Sequence, residues 1–169
     1  MSMRNLISGV IAAWAVAGGI VLLAIVVATA INAAGFLADM IAGLWSADVR
    51  GLSGYEDGVT MAVGVAALAM FPYCQLHGGH AAVDVFMSRA PDWANRVVAI
   101  LSGLLVTGLA LTMAVMLVFG TIQMRADNVE TAVLGWSVWI FMPFAVVSCV
   151  LWAIAALLET FGSEAQHGA

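Results

Sequence analysis

Charged residues divide the chain into four long apolar stretches. Asp, Glu, Lys and Arg are all absent from residues 5–38, 58–83, 97–124 and 131–158. Each stretch exceeds the roughly 20 apolar residues that a helix needs to cross a hydrocarbon layer about 30 Å thick. A lipid-exposed backbone must satisfy its own hydrogen bonds, and the stretches lack the alternation of barrel strands. The pattern therefore predicts an all-α integral membrane protein with four transmembrane helices.

The chain is predicted to form a single membrane domain, residues 1–169, with a loop at residues 36–55 between the first two helices. The first apolar stretch continues past Ile31, which is too long for a cleavable signal peptide, so we expect it to be retained as a helix. The predicted transmembrane helices cover residues 6–34, 57–77, 97–124 and 132–159. Small residues let membrane helices approach closely, and one such packing face is predicted at Gly64, Ala67, Leu68 and Phe71.

An interfacial amphipathic helix is also predicted, between the second and third crossings. Apolar residues there recur at steps of three and four, which places them on one helical face: Val83, Phe86, Ala90, Trp93 and Val97. Polar residues fall largely on the opposite face, a pattern typical of a helix lying in the membrane interface. The predicted helix covers residues 81–90, with Trp93 at headgroup depth and Pro91 in the first turn of the third crossing. An ordinary connecting loop is the alternative.

Composition supports the membrane assignment. Of the 169 residues, 64% are hydrophobic and 9% are charged, whereas soluble domains carry about 25% charged residues. A soluble fold would have too little polar surface.

The arginines indicate an orientation. The side that holds both termini has three and the opposite side has two: Arg4, Arg89 and Arg96 against Arg50 and Arg125. Because cytoplasmic loops carry an excess of basic residues, both termini are predicted to be cytoplasmic. The loop at residues 36–55 is then periplasmic.

The sequence predicts neither catalytic residues nor a cofactor or metal site. A nucleophile with a neighbouring base, paired carboxylates and clustered metal ligands are all missing from it. His77, His80 and His167 lie at a helix end or in the tail, so none is placed to hold haem inside the bundle. Ionisable residues at depth usually mark a transport path, and none is predicted here. The chain is therefore predicted to be a non-enzymatic partner subunit.

One stretch resembles a known family. Residues 71–86, FPYCQLHGGHAAVDVF, carry a His, hydrophobic residues and then Val83-Asp84 just after the second predicted helix. This is similar to the signature of the small membrane subunit, DctQ type, of tripartite ATP-independent periplasmic (TRAP) transporters. Glu56, after Gly54-Tyr55, matches an acidic residue that is common in the family. The four-helix layout and the length match as well.

The resemblance implies partners for this chain. It implies a large membrane subunit with a sodium-coupled transport site, which would hold the sodium ions, and a periplasmic binding protein that delivers an organic acid. The chain itself would be a fixed scaffold in the bacterial inner membrane, in contact with lipids and with no nucleic acid. A membrane anchor of a redox complex and a self-sufficient small transporter are the alternatives.

Six residues are candidate partner or structural contacts: Glu56, Asp57, His80, Asp84, Arg89 and Trp93. Glu56 and Asp57 are expected to cap the second helix, where negative charge offsets the helix dipole, and to face the binding protein. His80 and Asp84 are expected to brace the cytoplasmic loop. Local capping without partner contact is the alternative.

Overall fold

The computed structural model describes residues 3–42, 54–77 and 91–162, and these form four long helices. The helices are α1 (Met3–Ala42), α2 (Tyr55–Leu76), α3 (Asp92–Ala126) and α4 (Met142–Gly162), with a short 3₁₀ helix at Val138–Ile140. All four long helices have the length and apolar composition that a membrane crossing requires. The prediction of an all-helical fold with four membrane-spanning helices is confirmed.

The four helices differ in length. The 22 residues of α2 and the 21 residues of α4 extend about 33 and 32 Å at a rise of 1.5 Å per residue. These lengths match a hydrocarbon layer of about 30 Å. The 40 residues of α1 and the 35 residues of α3 extend about 60 and 52 Å. Both must tilt in the membrane or project from it.

The first helix continues beyond its expected end. Residues 36–55 were expected to form a loop, yet α1 continues to Ala42. Asp39 is the only charge in this last part, and apolar residues on both sides of it maintain the helix: Phe36, Leu37, Met40 and Ile41. A single carboxylate does not end a helix, so the charge marked the end of the apolar stretch without marking the end of the helix.

The interfacial helix predicted for residues 81–90 lies outside the described residues. The described ranges contain no fifth long helix, and so give no support for a separate interfacial helix. Trp93 and Val97, which the apolar face included, lie in the first turns of α3. Pro91 takes an extended conformation immediately before that helix (φ −66°, ψ 151°), and its ring fixes φ there.

The fourth helix starts at Met142, later than the expected start near residue 132. Residues 127–141, here called the α3–α4 connection, hold turns, an antiparallel bridge between Glu130 and Ser137, and the 3₁₀ helix. Gly135 takes a positive φ of 65°, which breaks a helix in this region. Pro143 lies in the first turn of α4, where its missing N–H is not needed.

The helices pack in the order α1, α2, α4, α3. The extensive contacts join α1 to α2, α2 to α4, and α4 to α3, so α2 and α4 are central and α1 and α3 are lateral. The beginning of α1 and the end of α4 lie on one side, here called the terminal side. The opposite side, here called the loop side, holds the start of α2 and the α3–α4 connection.

Two glycines allow neighbouring helices to approach closely. A Cβ atom added at Gly18 of α1 would lie 2.8 Å from the Ala69 Cβ and 3.0 Å from the Ala66 carbonyl oxygen of α2. A Cβ atom at Gly103 of α3 would overlap the Thr160 hydroxyl of α4 and lie 3.0 Å from the Thr160 Cβ. These contacts are closer than any side chain larger than glycine permits.

The packing face predicted for α2 is partly wrong. Gly64 and Ala67 are exposed, and a Cβ atom at Gly64 would meet nothing within 4 Å. The small residues that α2 buries are Ala66 and Ala69, because these are the residues that face Gly18.

We expect Gly103→Ala to lower the thermal stability of the protein. Alanine favours helix by up to about 1 kcal/mol over glycine, but overpacking against Thr160 costs about 1–3 kcal/mol. Thermal unfolding in mild detergent, followed by circular dichroism, measures the difference. Gly108→Ala in the same helix is the matched control, because a Cβ atom at Gly108 meets nothing within 4 Å. Equal midpoints for the two variants would contradict the close approach of α3 and α4.

Candidate functional site

Three of the six candidate contact residues lie in described parts of the chain. Glu56 and Asp57 are in the first turn of α2, and Glu56 is exposed. Trp93 is in the first turn of α3, with 71% of its surface exposed. The other three lie outside the described residues: His80, Asp84 and Arg89. The role of all six in partner contact stays a prediction.

Asp57 connects the start of α2 to the α3–α4 connection. Its Oδ2 atom accepts hydrogen bonds from the backbone N–H groups of Val133 (2.7 Å) and Leu134 (3.0 Å). Gly54 occupies the N-cap position of α2 with a φ of 84°, and the cap has no side-chain hydrogen bond. Asp57 thus uses its carboxylate to hold another segment in place. Hydrogen bonds to a charged group are about twice as strong as neutral ones.

A second polar contact joins α2 to α4 near the terminal side. The Trp152 indole Nε1–H donates to Gln75 Oε1 at 3.1 Å, and Gln75 Nε2–H donates to Glu159 Oε2 at 2.5 Å. Phe71, one turn before Gln75, packs its ring against that of Trp152 with a centroid distance of 5.1 Å. Gln75 is buried, and both ends of its amide are bonded. The contact therefore fixes the register of the two central helices.

A third polar contact joins α1 to α4. The Trp14 indole Nε1–H donates to the Ser148 hydroxyl at 2.9 Å, and that hydroxyl donates to the Phe144 carbonyl oxygen, also at 2.9 Å. Ser148 is fully buried. Interhelical hydrogen bonds of this type contribute about 0.6 to 1.7 kcal/mol in membrane proteins.

Together these contacts connect α1, α2, α4 and the α3–α4 connection into one body. In these contacts the polar groups of one segment bond to those of another. Such bonds hold the helices together. Within residues 3–42, 54–77 and 91–162, no three His, Cys, Asp or Glu side chains come close enough to share a metal ion. The site is an arrangement of structural contacts.

The comparison of sequences decides the family. The family model described as "Tripartite ATP-independent periplasmic transporters, DctQ component" matches residues 49–163, well over half of the chain. The chain belongs to the DctQ family. The resemblance inferred from residues 71–86 is confirmed. Neither a curated protein nor a solved structure matches the chain.

Membership makes the chain a component of a TRAP transporter, and the family implies a transport role rather than enzymatic activity. The match contains α2, α3, α4 and the α3–α4 connection, so Asp57, Gln75 and Trp152 all lie in the DctQ region, whereas α1 lies outside it. The redox-complex alternative finds no support in this family.

Sequence reasoning missed most of the polar contacts of this DctQ component. Gln75 was part of the family motif but was not predicted to make a contact. An amide in an apolar helix is itself a signal of an interhelical contact. Trp14, Trp152 and Glu159 carried no recognisable signal, because tryptophan is common in membrane helices and Glu159 lies at a helix end. Ser148 bonds both a neighbouring helix and its own backbone, and a serine in an apolar stretch does not show which of the two it will do.

We expect Gln75→Met to destabilise the protein in detergent by about 1–3 kcal/mol, since two hydrogen bonds of about 0.6 to 1.7 kcal/mol each are lost. Methionine has a similar volume, so packing changes little. Unfolding by a denaturing detergent, followed by tryptophan fluorescence, measures the loss. Gln123→Met is the matched control because Gln123 is exposed on α3. If both variants unfold alike, the Gln75 contact does not stabilise the bundle.

We expect Asp57→Ala to release the α3–α4 connection. The N–H groups of Val133 and Leu134 lose their acceptor, so their amide protons should exchange with solvent deuterium faster than in the unmodified protein. Hydrogen–deuterium exchange with mass spectrometry measures this on peptides that contain both residues. Glu56→Ala removes the same charge from the same turn and serves as the control. Unchanged exchange in Asp57→Ala would show that the carboxylate does not hold the connection.

Proposed function

We propose that the chain is the small scaffold subunit of a sodium-coupled TRAP transporter that imports an organic acid. In this proposal a large membrane subunit carries the transport site and its sodium ions, and a periplasmic binding protein delivers the substrate. Membership of the DctQ family over residues 49–163 is the observation that carries the proposal. The small subunit binds no cofactor and stabilises the large one.

The polar groups of the bundle support a structural role. Gln75, Ser148 and Trp152 are buried, and their hydrogen bonds run to other helices or to their own backbone. A transport path needs polar groups that are free to exchange partners with a solute, usually with an ionisable residue at depth. Bonds that join two helices instead resist their relative motion. A bundle held together in this way suits the stationary part of a transporter.

The two lateral helices offer surface to the partner subunit and to lipid. Large apolar side chains are exposed along α1 and α3, among them Val16, Leu23, Leu105 and Phe119. Among the described residues, α1 packs mainly on α2 and α3 mainly on α4, whereas α2 and α4 each pack extensively on two neighbours. In the proposed complex, part of this lateral surface contacts the large subunit and the remainder faces lipid.

The proposed location is the bacterial inner membrane, with both termini in the cytoplasm, which makes the loop side periplasmic. That side carries several acidic residues: Asp39, Glu56, Asp57, Asp127 and Glu130. An acidic surface can attract a basic surface of the binding protein and increase the rate of encounter. Glu56 is exposed and lies beside Asp57, so it is the residue we expect to face the binding protein.

We expect a large polytopic membrane protein to copurify with the affinity-tagged chain from native membranes in mild detergent. Because the exposed apolar surfaces of α1 and α3 are buried partly by that partner, the pair should stay together through size-exclusion chromatography. Mass spectrometry identifies the partner. An unrelated tagged four-helix membrane protein from the same membranes controls for nonspecific association.

Two results would contradict the scaffold role. One is purification of this chain alone, repeatedly, in several mild detergents. The other is sodium-driven uptake of an organic acid by vesicles that contain this chain without a partner, because that would place the transport site inside its own bundle.

A further inference from the structure

The α3–α4 connection exposes apolar side chains although its backbone is well ordered by hydrogen bonds. Val133 is 63% exposed, and Trp136 and Ile140 are each 49% exposed. A solvated loop of this length would normally carry polar residues at such positions. The exposed residues therefore point to a surface that something other than water covers.

Much of the backbone of the connection is hydrogen-bonded within the protein. Val133 and Leu134 donate to Asp57, and Trp136 donates to the Thr131 hydroxyl. The remaining backbone hydrogen bonds of this segment include Thr131 to Trp136, Gly135 to Thr131, Val138 to Val129, Ile140 to Ser137 and Phe141 to Val138. Non-helical backbone near the hydrocarbon region is tolerated only when protein groups satisfy it. Most N–H groups of the connection meet that condition.

Two helices independently place the connection at the membrane boundary. The segment long and apolar enough to cross the membrane here is Val138–Thr160, and the 21 residues of α4 nearly fill the hydrocarbon layer. Residues 138–142 are therefore expected at its loop-side edge. The 22 residues of α2 set the same edge at Tyr55. The connection meets α2 at that level, because a Cβ atom at Gly54 would lie 3.0 Å from Val133 and Leu134 side-chain atoms.

The aromatic residues of the connection suit the headgroup layer. Trp136 stacks on Phe141 with a centroid distance of 6.3 Å, and the Arg125 guanidinium lies 5.0 Å from the centroid of the Trp139 ring. Tryptophan is enriched at membrane–water interfaces because one part of its ring is apolar and another is a hydrogen-bond donor. Arginine beside it can reach the lipid phosphate.

We propose that residues 133–141 form a lipid anchor, in which Val133, Trp136 and Ile140 insert at the boundary between headgroups and acyl chains of the loop-side leaflet. Asp57 is the positioning residue that holds this anchor against α2. We expect lipid to cover Val133, Trp136 and Ile140 because these residues continue the membrane-spanning surface and lie at the depth that α2 and α4 set. The proposal does not depend on the identity of the protein partners.

Spin labels in lipid nanodiscs test the proposal. Single cysteines replace Val133, Ile140, Asp127 or Met116 in the full chain, in a background that carries Cys74→Ala and Cys149→Ala. Met116 is exposed in the middle of α3 and reports lipid, whereas Asp127 is exposed beyond the end of α3 and reports water. We expect the ratio of oxygen to nickel accessibility at positions 133 and 140 to shift from the Asp127 value toward the Met116 value.

Two outcomes would overturn the anchor. Accessibility at position 133 equal to that at position 127 would mean a solvated loop. Low accessibility to both reagents would mean that protein covers the patch.

A second measurement avoids the cysteine substitutions, in case the loss of buried Cys149 prevents folding. A photoreactive amino acid in place of Val133, in the otherwise unmodified chain in native membranes, should crosslink to phospholipid, which mass spectrometry detects as a lipid adduct. The same substitution at Asp127 should give no lipid adduct. Crosslinking of position 133 to another protein, or to nothing, would overturn the proposal.

Discussion

The packing of α2 against both α1 and α4 is the interaction on which the rest of the structure depends. Ala66 and Ala69 lie against Gly18, which brings α1 close, and Gln75 bonds to Trp152 and Glu159 of α4. In a membrane the hydrophobic effect does not drive helices together, so close van der Waals packing and interhelical hydrogen bonds must do so. Helix α2 supplies both the close packing and the hydrogen bonds.

This construction supports the proposed scaffold role. Gln75, Trp152 and Ser148 are buried and take part in hydrogen bonds between helices, so separating those helices would leave donors and acceptors in an environment without water. The lateral helices keep large apolar surfaces outside the bundle. In the proposed complex, a body that resists internal motion and presents apolar surface would belong to the fixed part of the transporter.

The thickness of the membrane also determines where the loop side lies. Because α2 and α4 are only as long as the hydrocarbon layer, the segment before α4 lies at the membrane boundary, where a backbone outside a regular helix needs partners. Asp57 and the Thr131 hydroxyl supply some of them. The arrangement links an acidic residue at a helix start to the order of a connection more than seventy residues away in the chain.

The sequence by itself determined the four crossings and the family. Long apolar stretches must leave water whatever their neighbours are, and the motif in residues 71–86 with Glu56 identified the DctQ type. Only the tertiary structure decided which residues face which helix. Gly18 and Gly103 touch a neighbour whereas Gly64 and Gly108 do not, and the start of α4 at Met142 was hidden within an apolar stretch. The physical reason is that a membrane helix is apolar on every side, so polarity marks no buried face, and packing partners alone distinguish one face from another.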